Sequence, residues 1–134
     1  MADDRNFELE IITPDRVFFK GQANMIEFNT TEGEIGVYKN HIPLTVIVKP
    51  GVLTITLEDT KQKAALHSGF ATILPDKVTI LAEVIEWGEE IDKDRAEAAK
   101  QRAEERLRLN QESIDMVRAE TALLRALARI NTIR

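Results

Sequence analysis

The sequence predicts a β plus α protein in two parts: an antiparallel β-sandwich or barrel at residues 1–88, followed by an antiparallel two-helix hairpin at residues 89–134. In the first part, Gly and Pro separate short runs in which apolar and polar side chains alternate, which is typical of half-buried strands. From Ile91 to Arg134 there is no Gly and no Pro, and helix-forming residues dominate. This change in composition predicts two domains with different roles.

About nine short strands are expected in the first part, because turn signals recur at regular spacing. The run from Phe7 to Ile12 alternates cleanly, and the turn signal Thr13-Pro14-Asp15 separates it from the next run. The predicted strands are 7–12, 17–21, 23–29, 35–37, 44–48, 52–57, 64–67, 71–74 and 78–84.

The second part predicts two helices joined by a turn. Asp92 is a suitable N-cap for a helix that ends near Leu109, and residues 110–113 tolerate a turn near Gln111. An apolar stripe at helical spacing then follows, formed by Ile114, Val117, Leu123, Leu124, Leu127 and Ile130. The first helix faces it mostly with alanines (Ala96, Ala99 and Ala103) and Leu107. Because alanines bury little apolar area, we expect a weak hairpin that can open.

Charge and composition exclude several classes of function. Residues 1–90 carry 8 basic against 15 acidic side chains, and residues 91–134 carry 10 against 8, so no dense basic stripe for nucleic acid is present. The chain has no cysteine, hence no disulfide framework and no thiol nucleophile. No run approaches the roughly 18 apolar residues of a membrane span, and the N-terminal sequence is unlike a secretory signal. We therefore expect membrane association only through a partner.

Independent catalysis is not expected from this set of side chains. General acid-base or nucleophilic chemistry needs a base beside a nucleophile, and His41 and His67 are the two histidines. We interpret His67 as a structural histidine with its hydrogen bonds satisfied, and Glu89 with Glu90 as a solvated linker. The phosphate-binding loop of common nucleotide enzymes is also missing from the sequence.

Five segments of the sequence together resemble the epsilon subunit of the bacterial F-type ATP synthase. The segments are Glu32–Leu44, Lys49–Gly51, Ser68–Phe70, Val78–Glu83 and Ile91–Ala96. Lys39 and Asn40 depart from the Pro-Gly that is common in the family, although Asn also tolerates positive φ.

The resemblance implies a sandwich of about ten strands in the central stalk, or rotor, of a proton-translocating synthase. Its implied partners are the gamma subunit and the c-subunit ring, with Glu34 and His41 at the ring contact. The location it implies is peripheral, on the cytoplasmic side of the cell membrane. The alternative interpretation is that Glu34 is a solvated turn carboxylate and His41 a turn residue.

The resemblance further implies that the hairpin is a switch: folded against the sandwich it permits ATP hydrolysis, and extended along gamma into the catalytic ring, where it contacts the alpha and beta subunits, it inhibits hydrolysis. As a single helix, 40 residues would reach about 60 Å.

In bacillus-like members of this family the hairpin binds ATP as a regulatory ligand, with Mg²⁺ as a possible companion. Matching by position gives an ATP site formed by Glu86, Ile91, Asp92, Arg95, Ala96, Arg102, Arg125 and Arg129. A turn near Gln111 would place Arg125 and Arg129 beside Arg95, and arginines suit phosphate.

Two alternatives stay open from the sequence alone. Asp92 and Arg95 could be an N-cap and its helical neighbour, with the remaining arginines paired to Glu104, Glu105 and Glu120 on solvated faces. The whole chain could then be a protein-interaction module without nucleotide sensing. Trp87 is interpreted as a packing anchor at the junction, with stacking on a base as the alternative.

Overall fold

The fold, seen in a computed structural model, is described for residues 5–109 and 113–134, with the side chains of residues 113–115 left out. In this part of the chain eight strands precede one 3-10 turn and two helices. The strands are β1 (Phe7–Ile12), β2 (Val17–Ala23), β3 (Met25–Thr30), β4 (Gly33–Tyr38), β5 (Leu44–Val48), β6 (Gly51–Thr56), β7 (Lys61–Ile73) and β8 (Lys77–Trp87). The turn spans Gly88–Glu90, and the helices are α1 (Lys93–Arg108) and α2 (Ser113–Thr132).

The strands form a sandwich because the two longest ones belong to both layers. Residues 69–73 of β7 pair with β5, whereas residues 61–66 pair with β6. The front layer runs β2-β1-β8-β7-β5 and the back layer β4-β3-β6-β7-β8. Each layer thus contains five strand segments, which matches the expected ten although eight strands supply them. The expectation of separate strands at 64–67 and 71–74 was wrong, since residues 64–67 and 71–73 both belong to β7.

A bulge at Ser68 and Gly69 lets β7 pass from one layer to the other. The register with β8 shifts at these residues, and Gly69 has φ +143°. A Cβ at this position would lie 2.0 Å from the Leu81 carbonyl oxygen, so a side chain is excluded by contact as well as by backbone conformation. The Ser68-Gly69 pair, which had predicted a strand end, is instead a bend inside one strand.

The core lies between the two layers and is built from the inward side of each alternating run. In β1, Phe7, Leu9 and Ile11 are buried while the residues between them are partly exposed. In β6, Leu53 and Ile55 are buried and the threonines beside them are not. The core also contains Ile26, Phe28, Val37, Leu66, Ile73, Val78 and Ile80.

The two helices pack against each other, and α2 also packs on β6 and β7 of the back layer. Because only a short segment joins them, two helices in contact along their length must be antiparallel. Asp92 is the N-cap of α1 and its side chain accepts a hydrogen bond from the Arg95 amide at 3.1 Å, as predicted. The predicted turn at residues 110–112 lies outside the described residues. None of the described helices is both long and apolar enough to cross a bilayer.

Alanines are prominent among the buried residues of both helices. Ala96 and Ala103 are the buried residues of α1, and the buried residues of α2 include Ala119, Ala126 and Ala128. Val117, which was placed in the apolar stripe, is 63% exposed. Buried alanines thus lie on both helices, and Ala128 lies with Leu124 and Leu127 beside β6. The leucines of α2 are only partly buried.

Candidate functional site

A cleft of about 390 Å³ lies where α1, the C-terminal half of α2 and the end of β8 meet. Seven of the eight residues expected at the ATP site line it. The lining residues are Glu86, Glu90, Ile91, Asp92, Arg95, Ala96, Ala99, Arg102 and Arg129. Segments distant in the sequence thus contribute to one concave surface.

The first turns of α1 place one set of side chains along the cleft. Arg95, Ala99 and Arg102 are four and three residues apart, so they lie on one face of the helix. The Asp92 cap fixes the start of that helix, and Ala96, 3% exposed, allows the partner helix to approach closely. Ala99 was not expected at the site, although the helical spacing from Arg95 would have indicated it.

Glu86 joins the sandwich to α2 at one side of the cleft. Its Oε1 accepts a hydrogen bond from His67 Nε2 and another from Arg129 Nε, each at 2.8 Å. The hydrogen bond from His67 is the main reason that the pKa of Glu86 lies below its ordinary value, and Arg129 lowers it further against the opposing effect of burial. Glu86 therefore stays ionised at neutral pH.

His67 is buried beneath the hairpin. It is 1% exposed, and alternation along β7 directs Ala64 and Leu66 into the core, so His67 faces outward on the side that α2 covers. Its Nδ1 is buried without a hydrogen-bond partner among the described residues. The expectation of a histidine with both nitrogens satisfied was wrong for this atom.

Glu90 is held at the entrance to the hairpin and is not a freely solvated linker residue. Both of its carboxylate oxygens accept hydrogen bonds from Arg16 Nη2 at 2.9 Å, and Oε1 also accepts from the Trp87 amide at 2.8 Å. The bond from Arg16, followed by that from Trp87, lowers the pKa of Glu90. No local pattern predicts this contact, because Arg16 lies in the turn before β2. Glu89 is exposed, as expected.

The charges of the cleft are three guanidinium groups and three carboxylates. Arg129 is bonded to Glu86, whereas the guanidinium groups of Arg95 and Arg102 have no hydrogen bond or ion pair within the described ranges. Arg125 was expected to flank Arg95, but its side chain is exposed and does not line the cleft. The proposed pairing of arginines with Glu104 and Glu120 is also absent from the described residues; Glu105 pairs with Arg108.

Trp87 is a packing residue of the sandwich in this structure. Its ring stacks on Phe18 with centroids 4.2 Å apart, and the Arg16 guanidinium lies 5.1 Å from the centre of the Phe18 ring. Phe18 and Trp87 therefore anchor the residues just before the hairpin.

Glu34 lies near the start of β4, and His41 follows the end of that strand. Because Glu34 is the second residue of the strand, about 13 Å of strand lies between Glu34 and Tyr38. The His41 Nδ1 is 2.7 Å from the Ile42 carbonyl oxygen, which assigns the donor proton to Nδ1. Asn40 has φ +69°, so it takes the conformation that glycine would supply.

An exposed apolar row crosses the outer face of the front layer. Neighbouring strands bring Ile12 beside Leu81, Leu81 beside Phe70, and Phe70 beside Ile47. Leu81, Phe70 and Ile47 are 41%, 48% and 62% exposed. A contiguous row of this kind is a mark of a protein-binding surface.

Two protein-family models match this chain. Residues 6–88 match the beta-sandwich domain of the ATP synthase delta/epsilon chain, and residues 89–134 match its long alpha-helix domain. The ATP synthase epsilon chain of Ruminiclostridium cellulolyticum is 46% identical over 125 residues, which cover 93% of each chain. That of Shouchella clausii is 40% identical, over 95% of this chain and 94% of its own.

Solved structures share the fold at lower sequence identity. A chain of the mitochondrial ATP synthase of Euglena gracilis superposes with a TM-score of 0.80 at 23% identity, over 92% of this chain and 79% of its own. A chain from the central stalk and c-ring of the Tetrahymena thermophila enzyme gives 0.64 at 12% identity, over 99% and 100%. Since both domains match and the relatives align over nearly their full length, the chain belongs to the ATP synthase epsilon chain family.

Proposed function

We propose that this chain is a non-catalytic rotor subunit of a proton-translocating ATP synthase, which couples gamma to the c ring and inhibits ATP hydrolysis through a hairpin that senses ATP. The cleft between α1, α2 and β8 is the observation that carries the regulatory part. It combines two unpaired guanidinium groups, of Arg95 and Arg102, with surfaces from both helices and the sandwich. A polyphosphate bound there would contact the closed hairpin and lose its site when the hairpin extends.

The energetics of the hairpin suit such a switch. The buried residues of α1 are Ala96 and Ala103, and each buried methyl group contributes only about 0.8 kcal/mol. A ligand that binds only the closed form stabilises it by about 2.7 kcal/mol at a hundredfold excess over Kd. ATP would therefore hold the hairpin closed, and its release would allow the helices to reach the alpha and beta subunits. Mg²⁺ would enter the cleft only as an ion already bound to ATP.

The test is a calorimetric titration of the isolated chain with ATP, beside an Asp92→Ala, Arg95→Ala double variant. Binding without hydrolysis by the native chain, and at least a tenfold loss in the variant, about 1.4 kcal/mol, is the expected result. Asp94→Ala with Arg106→Ala is the matched control, because it removes the same charges from exposed positions of α1 outside the cleft. No binding at millimolar ATP would refute ATP sensing and leave the rotor assignment standing.

One observation favours the alternative, a protein-interaction module without nucleotide sensing. Three carboxylates balance the three arginines of the cleft, so an anion is not needed to neutralise them. In that case the distance between labels on the sandwich and on α2 would be the same with and without ATP. The ATP-sensing proposal requires the closed distance to become more populated when ATP is added.

The apolar row on the front layer supports gamma as the rotor partner. Apolar and aromatic residues that are exposed on one chain are covered in stable interfaces, and a few of them supply most of the affinity. Phe70→Ser should weaken binding to gamma about thirtyfold, or roughly 2 kcal/mol. Tyr38→Ser is the control, because Tyr38 is an exposed aromatic residue on β4, away from the row. Equal binding by both variants would refute this interface.

Contact with the c ring is proposed for Glu34 and His41 in the same assembly. Because most of β4 lies between them in the chain, they would touch different points of the ring, so their single alanine variants should have additive effects on ATP-driven proton pumping. A peripheral position on the cytoplasmic side of the membrane follows from this contact. An unchanged pumping efficiency in the Glu34→Ala, His41→Ala double variant would exclude the two residues from the contact.

A further inference from the structure

We propose that His67 is a positioning residue of the cleft: its Nε2 fixes the Glu86 carboxylate, and through it Arg129, so that His67 governs both the docking of α2 and the readiness of the cleft for a ligand. The proposal rests in part on the proposed ATP site. Its core, a coupling between His67 and Arg129, does not depend on any ligand.

The geometry places Glu86 between a fixed group and a movable one. His67 belongs to β7 and is buried, whereas Arg129 belongs to α2 and is partly exposed, with 31% of its side chain reaching solvent. Both donate to the same oxygen, Oε1, at 2.8 Å. A carboxylate held by only one of them could rotate, but two donors on one oxygen define its orientation.

Packing alone does not explain a histidine at this position. The ring leaves Nδ1 buried without a partner among the described residues, which is unfavourable, and an aliphatic side chain would avoid that penalty. We assign the proton to Nε2 because it faces a carboxylate, so Nδ1 is a bare lone pair. The compensating gain at this site is the hydrogen bond to Glu86.

Because both hydrogen bonds go to Glu86 Oε1, other polar atoms of Glu86 and Arg129 are left to bind a ligand in the cleft. Glu86 Oε2 and the two terminal nitrogens of Arg129 have no hydrogen bond within the described ranges. The terminal nitrogens suit an anionic group, and Oε2 suits an N–H donor of the same ligand. His67 does not touch that ligand but determines where these atoms lie. Its role is therefore preorganisation.

The first experiment is a double-mutant cycle on the ligand-free full chain, with His67→Phe and Arg129→Met, read as the equilibrium constant of unfolding. Because both residues bond to one carboxylate, the effects should be non-additive by about five- to tenfold. The matched cycle uses Arg118→Met, an exposed arginine of α2 outside the cleft, and should be additive within about twofold. Additive effects of His67→Phe and Arg129→Met would overturn the proposal.

The second experiment measures ATP affinity and separates positioning from simple packing. His67→Phe keeps a ring but has no donor, and should lower the affinity about tenfold. His67→Gln places an amide nitrogen near the position of Nε2 and should restore the affinity to within about threefold of native. Should the phenylalanine variant not fold, His67→Asn replaces it in both experiments, because its shorter amide does not reach Glu86.

The outcomes distinguish this inference from the proposed function. If the native chain binds ATP and the His67→Gln and His67→Phe variants lose equal amounts of ATP affinity, the positioning role of His67 is refuted and the proposed ATP sensing is not. No ATP binding by the native chain, with the His67 and Arg129 cycle still coupled, would refute ATP sensing and leave His67 as the residue that positions Arg129 and docks α2.

Discussion

Replacing Glu86 by Gln should remove a pH-dependent part of the stability of this protein. The carboxylate accepts two hydrogen bonds at 2.8 Å, one from the buried ring of His67 and one from the charged guanidinium group of Arg129. Hydrogen bonds to charged groups contribute about 1.5–3 kcal/mol. One quarter of the Glu86 side chain is exposed, so solvent weakens the interaction. We therefore expect Glu86→Gln to lower the free energy of unfolding by about 1–2 kcal/mol at pH 7.

The sign of the pH dependence follows from the lowered pKa of Glu86. The folded state binds the proton less tightly than the unfolded chain, so the carboxylate stabilises the fold at every pH above its ordinary pKa of about 4.3. That contribution is lost as the pH falls through the lower pKa of the folded state. The stability difference between the native chain and Glu86→Gln should therefore shrink below about pH 4.3.

The assay is urea unfolding of both proteins between pH 7 and pH 3, followed by circular dichroism. Subtracting the two curves removes the titration of carboxylates common to both chains. Glu89→Gln is the matched control, because it removes an exposed carboxylate near the same junction and should change stability by less than about 0.5 kcal/mol. A difference between native and Glu86→Gln that is constant over this range would refute the role of Glu86 charge.

Three further substitutions test the fold around the site. Gly69→Ala should destabilise the chain by roughly 2–5 kcal/mol, because φ is positive and the Cβ would meet the Leu81 carbonyl. Chemical unfolding measures this change. A decrease in the free energy of unfolding of less than about 1 kcal/mol would contradict the steric constraint on Gly69 in the bulge. Asp92→Ala should remove about 1 kcal/mol through loss of the N-cap, whereas Asp94→Ala should not remove a cap; thermal unfolding of both variants compares them. Ala103→Leu should overfill the buried position of Ala103 on α1 and favour opening of the hairpin by about 1–3 kcal/mol. The distance between one label on the sandwich and one on α2 would detect this opening. An unchanged distance distribution would argue against tight packing at Ala103.

Local patterns were enough to predict most of the elements. In β1 and β6 the alternation of apolar and polar residues shows which side chains face the core, because successive side chains of a strand point to opposite faces. The Asp92 cap is equally local, since it joins residues three apart. The positive φ of Asn40 is compatible with its residue type, because Asn tolerates this conformation, but the sequence alone left the geometry of that turn open.

The predictions that failed depended on contacts between distant segments. Ser68 and Gly69 have the composition of a strand end, but pairing with β5, β6 and β8 makes them a bend within β7. Arg125, which the resemblance implies at the ATP site, stays a prediction; in this structure the packing of α2 leaves its side chain exposed and outside the cleft lining. Helical spacing alone cannot fix this, because the rotation of a helix about its axis is set by the surface it covers.

By itself, the sequence determined the division into an acidic strand-rich part and an alanine-rich helical part, the strand periodicity and the cap of α1. These are consequences of short-range sterics, hydrogen bonding and charge. Only the tertiary structure decided that His67 and Arg129 donate hydrogen bonds to the same carboxylate oxygen of Glu86 and that Arg16 donates hydrogen bonds to Glu90. Those contacts join residues 19, 43 and 74 positions apart, and they form only after the two layers and the hairpin have packed together.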